Sequence, residues 1–158
     1  MSKVRLHSPN FSRRTNGHRV GVSHGFSHPD HLPSALLTIA QSLIDQEHFN
    51  ISVVTSHMAC EVAAERALDA AYTAKQLESL REAVEALMNG HNLANDKHRK
   101  LYNALTGTEL EKQPFWLRFK AASEKRNSVV HKGGHASKAD AEAALNAGRE
   151  LIKYLNQL

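Results

Sequence analysis

From Pro33 onward, apolar residues recur at spacings of three and four, and no segment shows the sustained alternation of apolar and polar residues typical of a strand. Such spacing places apolar side chains on one face of a helix, which has about 3.6 residues per turn. Asn89-Gly90, Gly107 and Gly133-Gly134 supply stop signals between the periodic stretches. The sequence therefore predicts an all-α fold, an antiparallel bundle of five to six helices with short connections.

The boundaries of these helices follow from proline, capping residues and the glycine stops. Asn50 is predicted to cap the second helix, and Ser137 with Asp140 three residues later is predicted to cap the last one. The predicted helices are Pro33 to Glu47, Ile51 to about Thr73, about Lys75 to Met88, about Ala94 to Leu105, Pro114 to His131 or Lys132, and Ser137 to the end.

Residues 1–31 differ in composition from the rest of the chain. They are rich in Ser, Gly, Asn, Arg and His, they have no helical period, and they hold five of the eleven histidines. We predict a basic, flexible tail followed by one helical domain over residues 32–158. The segments VRL and RVGV on either side of Asn16-Gly17 suggest a hairpin as an alternative. A metal-binding tail is a further alternative, although the histidine spacing matches no common ligand pattern.

The formal net charge of +4 is unevenly distributed. Residues 1–31 carry five basic side chains and one acidic one, so the remaining residues are neutral in total. Within them, residues 32–96 hold three basic and nine acidic side chains, whereas residues 97–158 hold twelve basic and six acidic ones. Any attraction to phosphate is therefore expected from the second half of the bundle.

No apolar run approaches the roughly 20 residues that a membrane span needs, and the first residues contain no apolar stretch of the signal-peptide kind. The single cysteine, Cys60, has no partner within the chain for a disulfide and is predicted to be a small buried residue. We expect a cytoplasmic protein without membrane contact.

The fifth helix combines an apolar stripe with strong hydrogen-bonding groups. On a helical wheel, Arg126, Asn127 and His131 fall along the edge of the predicted core-facing side. Such groups are costly to bury without partners, so they are expected in a cleft, in polar pairs or at an interface. The residues predicted to face the core are Trp116, Phe119, Ser123 and Val130.

The second helix shows a matching anomaly. Glu61 and Glu65 occupy positions that the spacing of four and three assigns to the core, on one stripe with four apolar residues. One of these carboxylates is a candidate to neutralise Arg126, and the alternative is that both are ordinary exposed glutamates. The apolar members of the stripe are Val54, Met58, Leu68 and Tyr72.

The run FKAASEKRNSVVHKGG, followed by ADAEAALNAGRELIKYL, resembles the C-terminal pair of helices in HEPN domains. The signature of that family is Arg-x4-6-His with a polar residue after the Arg, which here corresponds to Arg126, Asn127 and His131. Upstream, LLTIAQSLIDQEHFNISVVTSHMACEVAAERAL is similar to the first two helices of the family. The resemblance covers roughly residues 33–157.

The resemblance implies a metal-independent RNA endonuclease that acts without a cofactor, in defence or as the toxin of a toxin–antitoxin pair. His131 would act as acid or base, Arg126 would bind the scissile phosphate, and Asn127 would orient the imidazole or hold the phosphate. The expected products carry 2′,3′-cyclic phosphate and 5′-OH ends. In such ribonucleases two motifs face one cleft, so a homodimer is implied.

Other HEPN proteins are non-catalytic, and the second hypothesis is a helical module that binds a nucleotide or a protein partner, such as an antitoxin or a nucleotidyltransferase. Basic residues close to the motif are candidates to bind RNA, the alternative being a solvated surface. These candidates are Lys120, Lys125, Lys132 and His135.

Overall fold

A computed structural model describes residues 31–88 and 90–157, and every regular element within these ranges is helical. The all-α bundle is therefore confirmed. A 3-10 turn, Leu110–Lys112, precedes the fifth helix and was not predicted. The six α-helices are α1 (Leu32–Asp45), α2 (Phe49–Ala74), α3 (Glu78–Leu87), α4 (Asp96–Thr106), α5 (Trp116–Lys132) and α6 (Lys138–Leu155).

The longest helix, α2, is the centre of the bundle and packs against each of the other five helices. Many of its buried positions hold small side chains, which lets neighbouring helices approach closely. Gly148 of α6 is one such approach, because a Cβ atom there would lie 3.3 Å from both Cys60 Sγ and Leu37 Cδ2. The first half of α2 buries Ser52, Val53, Thr55, Ser56, His57, Ala59 and Cys60.

This central position explains why the stripe predicted for α2 is only partly right. Leu68 and Tyr72 are buried as expected, but Met58 is 47% exposed and Glu65 is exposed. A helix with neighbours on several sides buries residues all round its axis, so its apolar period no longer marks a single core-facing side. Small and polar side chains occupy the closest contacts instead.

Of the two predicted helix caps, one forms and the other does not. Ser137 and Asp140 form the expected capping box at the start of α6. Asn50, however, does not cap α2, because the helix begins one residue before it; its Oδ1 instead accepts a hydrogen bond of 2.6 Å from the backbone N–H of Ala136. This bond ties the loop after α5 to the first turn of α2.

The predicted hairpin and the metal-binding alternative for the tail fall on residues 1–30, which lie outside the described residues. Between residues 31 and 157, leaving out residue 89, no helix combines the length and apolar character needed to cross a bilayer.

Candidate functional site

The last two turns of α5 lie at the surface of the bundle. Trp116, Phe119 and Ser123 are buried as predicted, but no residue of α5 beyond Ser123 is buried. Val130 is 45% exposed, so its predicted place in the core is wrong. Beyond Ser123 every residue of α5 is exposed or half-buried, and the motif therefore lies on an open face of the bundle.

Arg126 and Asn127 contact each other directly on this face. Nη1 of Arg126 donates a hydrogen bond of 3.1 Å to Oδ1 of Asn127. Nε of Arg126 is buried and has no hydrogen-bond partner among the described residues. Asn127 thus contributes to fixing the guanidinium, and His131, one turn later, is exposed in the last turn of α5.

Glu61 faces this arginine from α2. Its carboxylate Oε1 lies 3.5 Å from Nε2 of His57, one helical turn earlier. The pKa of Glu61 is lowered, first by the imidazole of His57 and further by the positive charge of Arg126 and by His91, whereas partial burial opposes the shift. Glu61 therefore stays ionised and supplies a negative charge to the site.

Glu65 lies one turn further along α2 and acts elsewhere. It is exposed, and the pKa of Arg81 on α3 is raised first by Glu85, then by Asp69 and last by the charge of Glu65. Of the two glutamates predicted to support the motif, Glu61 is the one whose pKa is lowered by the charge of Arg126.

A loop between α3 and α4 brings His91 to the same site. Nδ2 of Asn92 donates a hydrogen bond of 3.1 Å to Oγ of Ser123, which precedes Arg126 by one turn of α5. Leu93 is buried in the core directly after it. These two anchors hold the loop beside the motif, and His91 is partly exposed there, within electrostatic range of Glu61.

Two further histidines of this region, His57 and His98, are buried. The ring of His57 is stacked on Phe119, with centroids 6.3 Å apart. His98 of α4 is buried as well. Its pKa is lowered mainly by burial, and His91 adds to the effect, while the Gly90 backbone and Glu61 oppose it. His98 is therefore neutral at pH 7.

The basic residues predicted to bind RNA occupy different surroundings. Lys120 and Lys132 are exposed, whereas Lys125 forms an ion pair of 3.1 Å with Asp140 in the α6 capping box. His135 is exposed and lines an open cavity of about 400 Å³ together with residues of the α1–α2 turn. Of the four candidates, Lys125 alone forms an ion pair within the described residues.

In the part of the chain that the structure describes, no cluster of three or more His, Cys, Asp or Glu side chains has an arrangement suited to a metal ion. Cys60 is buried, as predicted, and burial raises the pKa of its thiol to about 12. The reactive form of cysteine is the thiolate, so Cys60 is not a nucleophile at neutral pH.

Comparison with known proteins gives no relative from which a role can be transferred: no family model, no curated protein and no solved structure matches the chain. The arrangement of these side chains is therefore the basis for a functional argument.

His57, His91 and His98 were not predicted as members of the site. The spacing of His57 and Glu61 was visible in the sequence, since residues four apart share a helix face. His91 follows a helix stop signal and gives no periodic signal at all. Its place depends on the bond between Asn92 and Ser123, which joins residues 31 positions apart.

Proposed function

We propose that this protein is a metal-independent RNA endonuclease of the HEPN kind, with Arg126 and His131 as its catalytic residues. The observation that carries the proposal is the open face of α5. There, an arginine held by Asn127 and faced by the carboxylate of Glu61 lies one helical turn and a residue from an exposed histidine.

Each of these groups has a task in cleaving RNA without a metal ion. An imidazole can take the proton of the 2′-OH, and the resulting oxygen attacks the adjacent phosphorus. A guanidinium offers a planar fork of donors that matches the phosphate oxygens and stabilises the negative charge that develops on them. Products with 2′,3′-cyclic phosphate and 5′-OH ends follow from this attack.

A homodimer is part of the proposal. Met58 is 47% exposed three residues before Glu61, and Val130 is 45% exposed four residues after Arg126. Contiguous exposed apolar patches are typical of interfaces, and the proposal takes these two side chains to belong to one such patch. Pairing two copies across this face would cover both side chains and bring two motifs into one cleft. The role in defence or in a toxin–antitoxin pair is proposed from the resemblance to HEPN domains alone.

The second candidate is a non-catalytic module that binds a nucleotide or a protein such as an antitoxin. The pairing of Lys125 with Asp140 favours it, because it removes one of the positive charges next to the motif that RNA would require.

Incubation of the purified protein with end-labelled RNA in EDTA distinguishes the two candidates. We expect cleavage by the wild type and a loss of at least about a hundredfold in Arg126→Ala and His131→Ala, the scale of a catalytic acid or base. Arg118→Ala and His48→Ala are matched controls, since Arg118 lies on the same helix paired with Glu150, and His48 is exposed on the α1–α2 turn. A folded wild type that cleaves no RNA, or that loses no activity in the two variants, would refute the endonuclease.

A further inference from the structure

A groove lined by alanines runs along the second half of α2. The alanines recur at spacings of four, three and four residues, so they share one face of the helix, and their small side chains leave space above it. The end of α6 borders this space, and α4 borders it further along. The residues of this alanine groove on α2 are Ala63, Ala67, Ala70 and Ala74.

Two cavities lie in the alanine groove and meet at Ala67 and Leu155, which line both of them. The near cavity, of about 140 Å³, is also lined by Pro33 and Ser34 in the first turn of α1. The far cavity, of about 220 Å³, is lined mainly by apolar side chains of α2, α4 and α6. Since a cavity of about 150 Å³ is large enough for benzene, the far cavity has room for an aromatic side chain.

The far cavity contains a buried side chain with an unsatisfied hydroxyl. Tyr102 of α4 lines the cavity and is 0% exposed, and its hydroxyl forms no hydrogen bond with any described residue. Most buried side-chain polar atoms in proteins have a hydrogen-bond partner. A peptide offers a backbone N–H or C=O at almost every position, whereas a purely apolar ligand offers neither. The hydroxyl therefore favours a peptide as the occupant of the groove.

The chain itself enters the bundle at the near end of the groove. Pro33 lines the near cavity, so the residues that precede α1 are covalently attached beside it. The groove from Ala63 to Ala74 is about 17 Å long, at 1.5 Å per helical residue. The six residues from Phe26 to Leu32 reach up to about 20 Å when they are extended. Phe26 can therefore reach the far cavity.

Phe11 and Phe26 are the two aromatic residues in the segment before α1. The effective concentration of a tethered group falls roughly as the −3/2 power of the tether length. Phe11 precedes Leu32 by 21 residues and Phe26 precedes it by 6, which lowers the effective concentration of Phe11 about sixfold relative to Phe26. Phe26 is the favoured occupant for this reason.

The charges of the groove favour the same part of the segment. The five basic side chains of residues 1–31 all lie at or before Arg19, and Asp30 carries the one formal charge after it. On the groove, Arg66 lines the near cavity and Lys75 lines the far one. Because opposite charges attract, these cations favour the stretch that contains Asp30 over the basic stretch before it.

We propose that residues 20–30 of this chain pack into the alanine groove, with the ring of Phe26 in the cavity beside Tyr102. In this arrangement the backbone of the segment pairs with the Tyr102 hydroxyl, and Asp30 lies close to Arg66. The proposal departs, for these residues, from the flexible tail expected from composition. It is independent of the endonuclease, since no described residue of α5 lines either cavity.

The test measures the reactivity of a thiol introduced into the groove of the full chain. Ala70→Cys places it on the groove, and the native Cys60 is buried. We expect this thiol to react with an aromatic disulfide reagent at least about tenfold more slowly than that of Ala104→Cys, at an exposed position of α4 outside both cavities. Adding Phe26→Ala should restore the rate, because losing a buried phenyl ring shifts an equilibrium by at least about tenfold. Phe11→Ala is the matched control and should leave the rate unchanged.

A pair of introduced cysteines identifies the occupant. Ser27→Cys combined with Ala70→Cys should form a disulfide within one chain on mild oxidation, seen as a shift in gel mobility without reductant. The matched pair, Ser12→Cys with Ala70→Cys, places the first thiol next to Phe11 and should form its disulfide about sixfold more slowly. Circular dichroism of each variant shows that it is folded.

Three results would overturn the proposal. The first is an Ala70→Cys thiol as reactive as that of Ala104→Cys and unaffected by Phe26→Ala, which would show an open groove. The second is protection that persists in Phe26→Ala, which would assign the groove to another occupant. The third is a disulfide that forms between two chains instead of within one, which would make a second copy the source of the segment.

Discussion

Replacing Glu61 with Gln removes a negative charge that faces Arg126 and keeps the size of the side chain. A charge-assisted hydrogen bond contributes about 1.5–3 kcal/mol when buried, whereas an exposed ion pair contributes about 0–1 kcal/mol. The side chain of Glu61 is 30% exposed and its contact with His57 is long, at 3.5 Å, which places this case near the lower values. We therefore expect the free energy of unfolding at pH 7 to fall by about 1 kcal/mol, or about 2–4 °C in Tm for a domain of this size.

The pH dependence of this difference follows from the lowered pKa of Glu61. Because the pKa is lower in the folded than in the unfolded chain, the stabilisation is fully present above the unfolded value and is lost as the pH falls through the folded value. The difference between wild type and Glu61→Gln should thus be largest at neutral pH and should shrink below about pH 4.3, the ordinary value for glutamate.

Urea denaturation followed by circular dichroism between pH 7 and pH 3.5 measures both the difference and its pH dependence. Glu65→Gln is the matched control, since it changes the same chemical group one turn away on an exposed position. A double-mutant cycle with Arg126→Gln isolates the coupling between the two side chains. Equal stability of wild type and Glu61→Gln at pH 7, or a difference that does not shrink in acid, would refute the reasoning.

Two further predictions concern positions outside the motif. Ser137→Ala removes the hydroxyl that caps α6, where it accepts a hydrogen bond from the backbone of Asp140, and should lower the free energy of unfolding by about 1 kcal/mol; an unchanged urea midpoint would contradict the capping role. Cys60 should resist alkylation by iodoacetamide at pH 8 in the folded protein and react once urea unfolds it, because its thiol is buried and has a pKa of about 12; rapid labelling of the native protein would show that this part of the core opens.

Much of the fold was predictable because helical periodicity is a local property. The start of α6 was placed by its capping box, and Gly107 ends α4 in the left-handed conformation with a φ of 72°. The failures have a common cause. Asn50 at the start of α2 and Val130 near the end of α5 were assigned from their own helix, whereas their surroundings depend on which helices lie next to them.

The candidate site was predictable only where its residues lie on one helix. Arg126, Asn127 and His131 share one helix, so their common face could be read from spacing. The choice between Glu61 and Glu65 could not, because both fit the stripe and only the packing of α2 against α5 separates them. His91 could not be found either, since the bond that positions it joins two segments far apart in the chain.

The hydrogen bond between Asn50 and Ala136 spans 86 residues, and this separation has a consequence for the chain during its synthesis. The bond cannot form until Ala136, which follows α5, has been synthesised, because both of its partners must be present. A chain that has emerged from the ribosome only as far as α2 has His57 and Glu61 but lacks the arginine that they face. Under the proposed endonuclease function, the unfinished chain would not cleave the transcript and ribosome that produce it before α5, which carries Arg126 and His131, has been released.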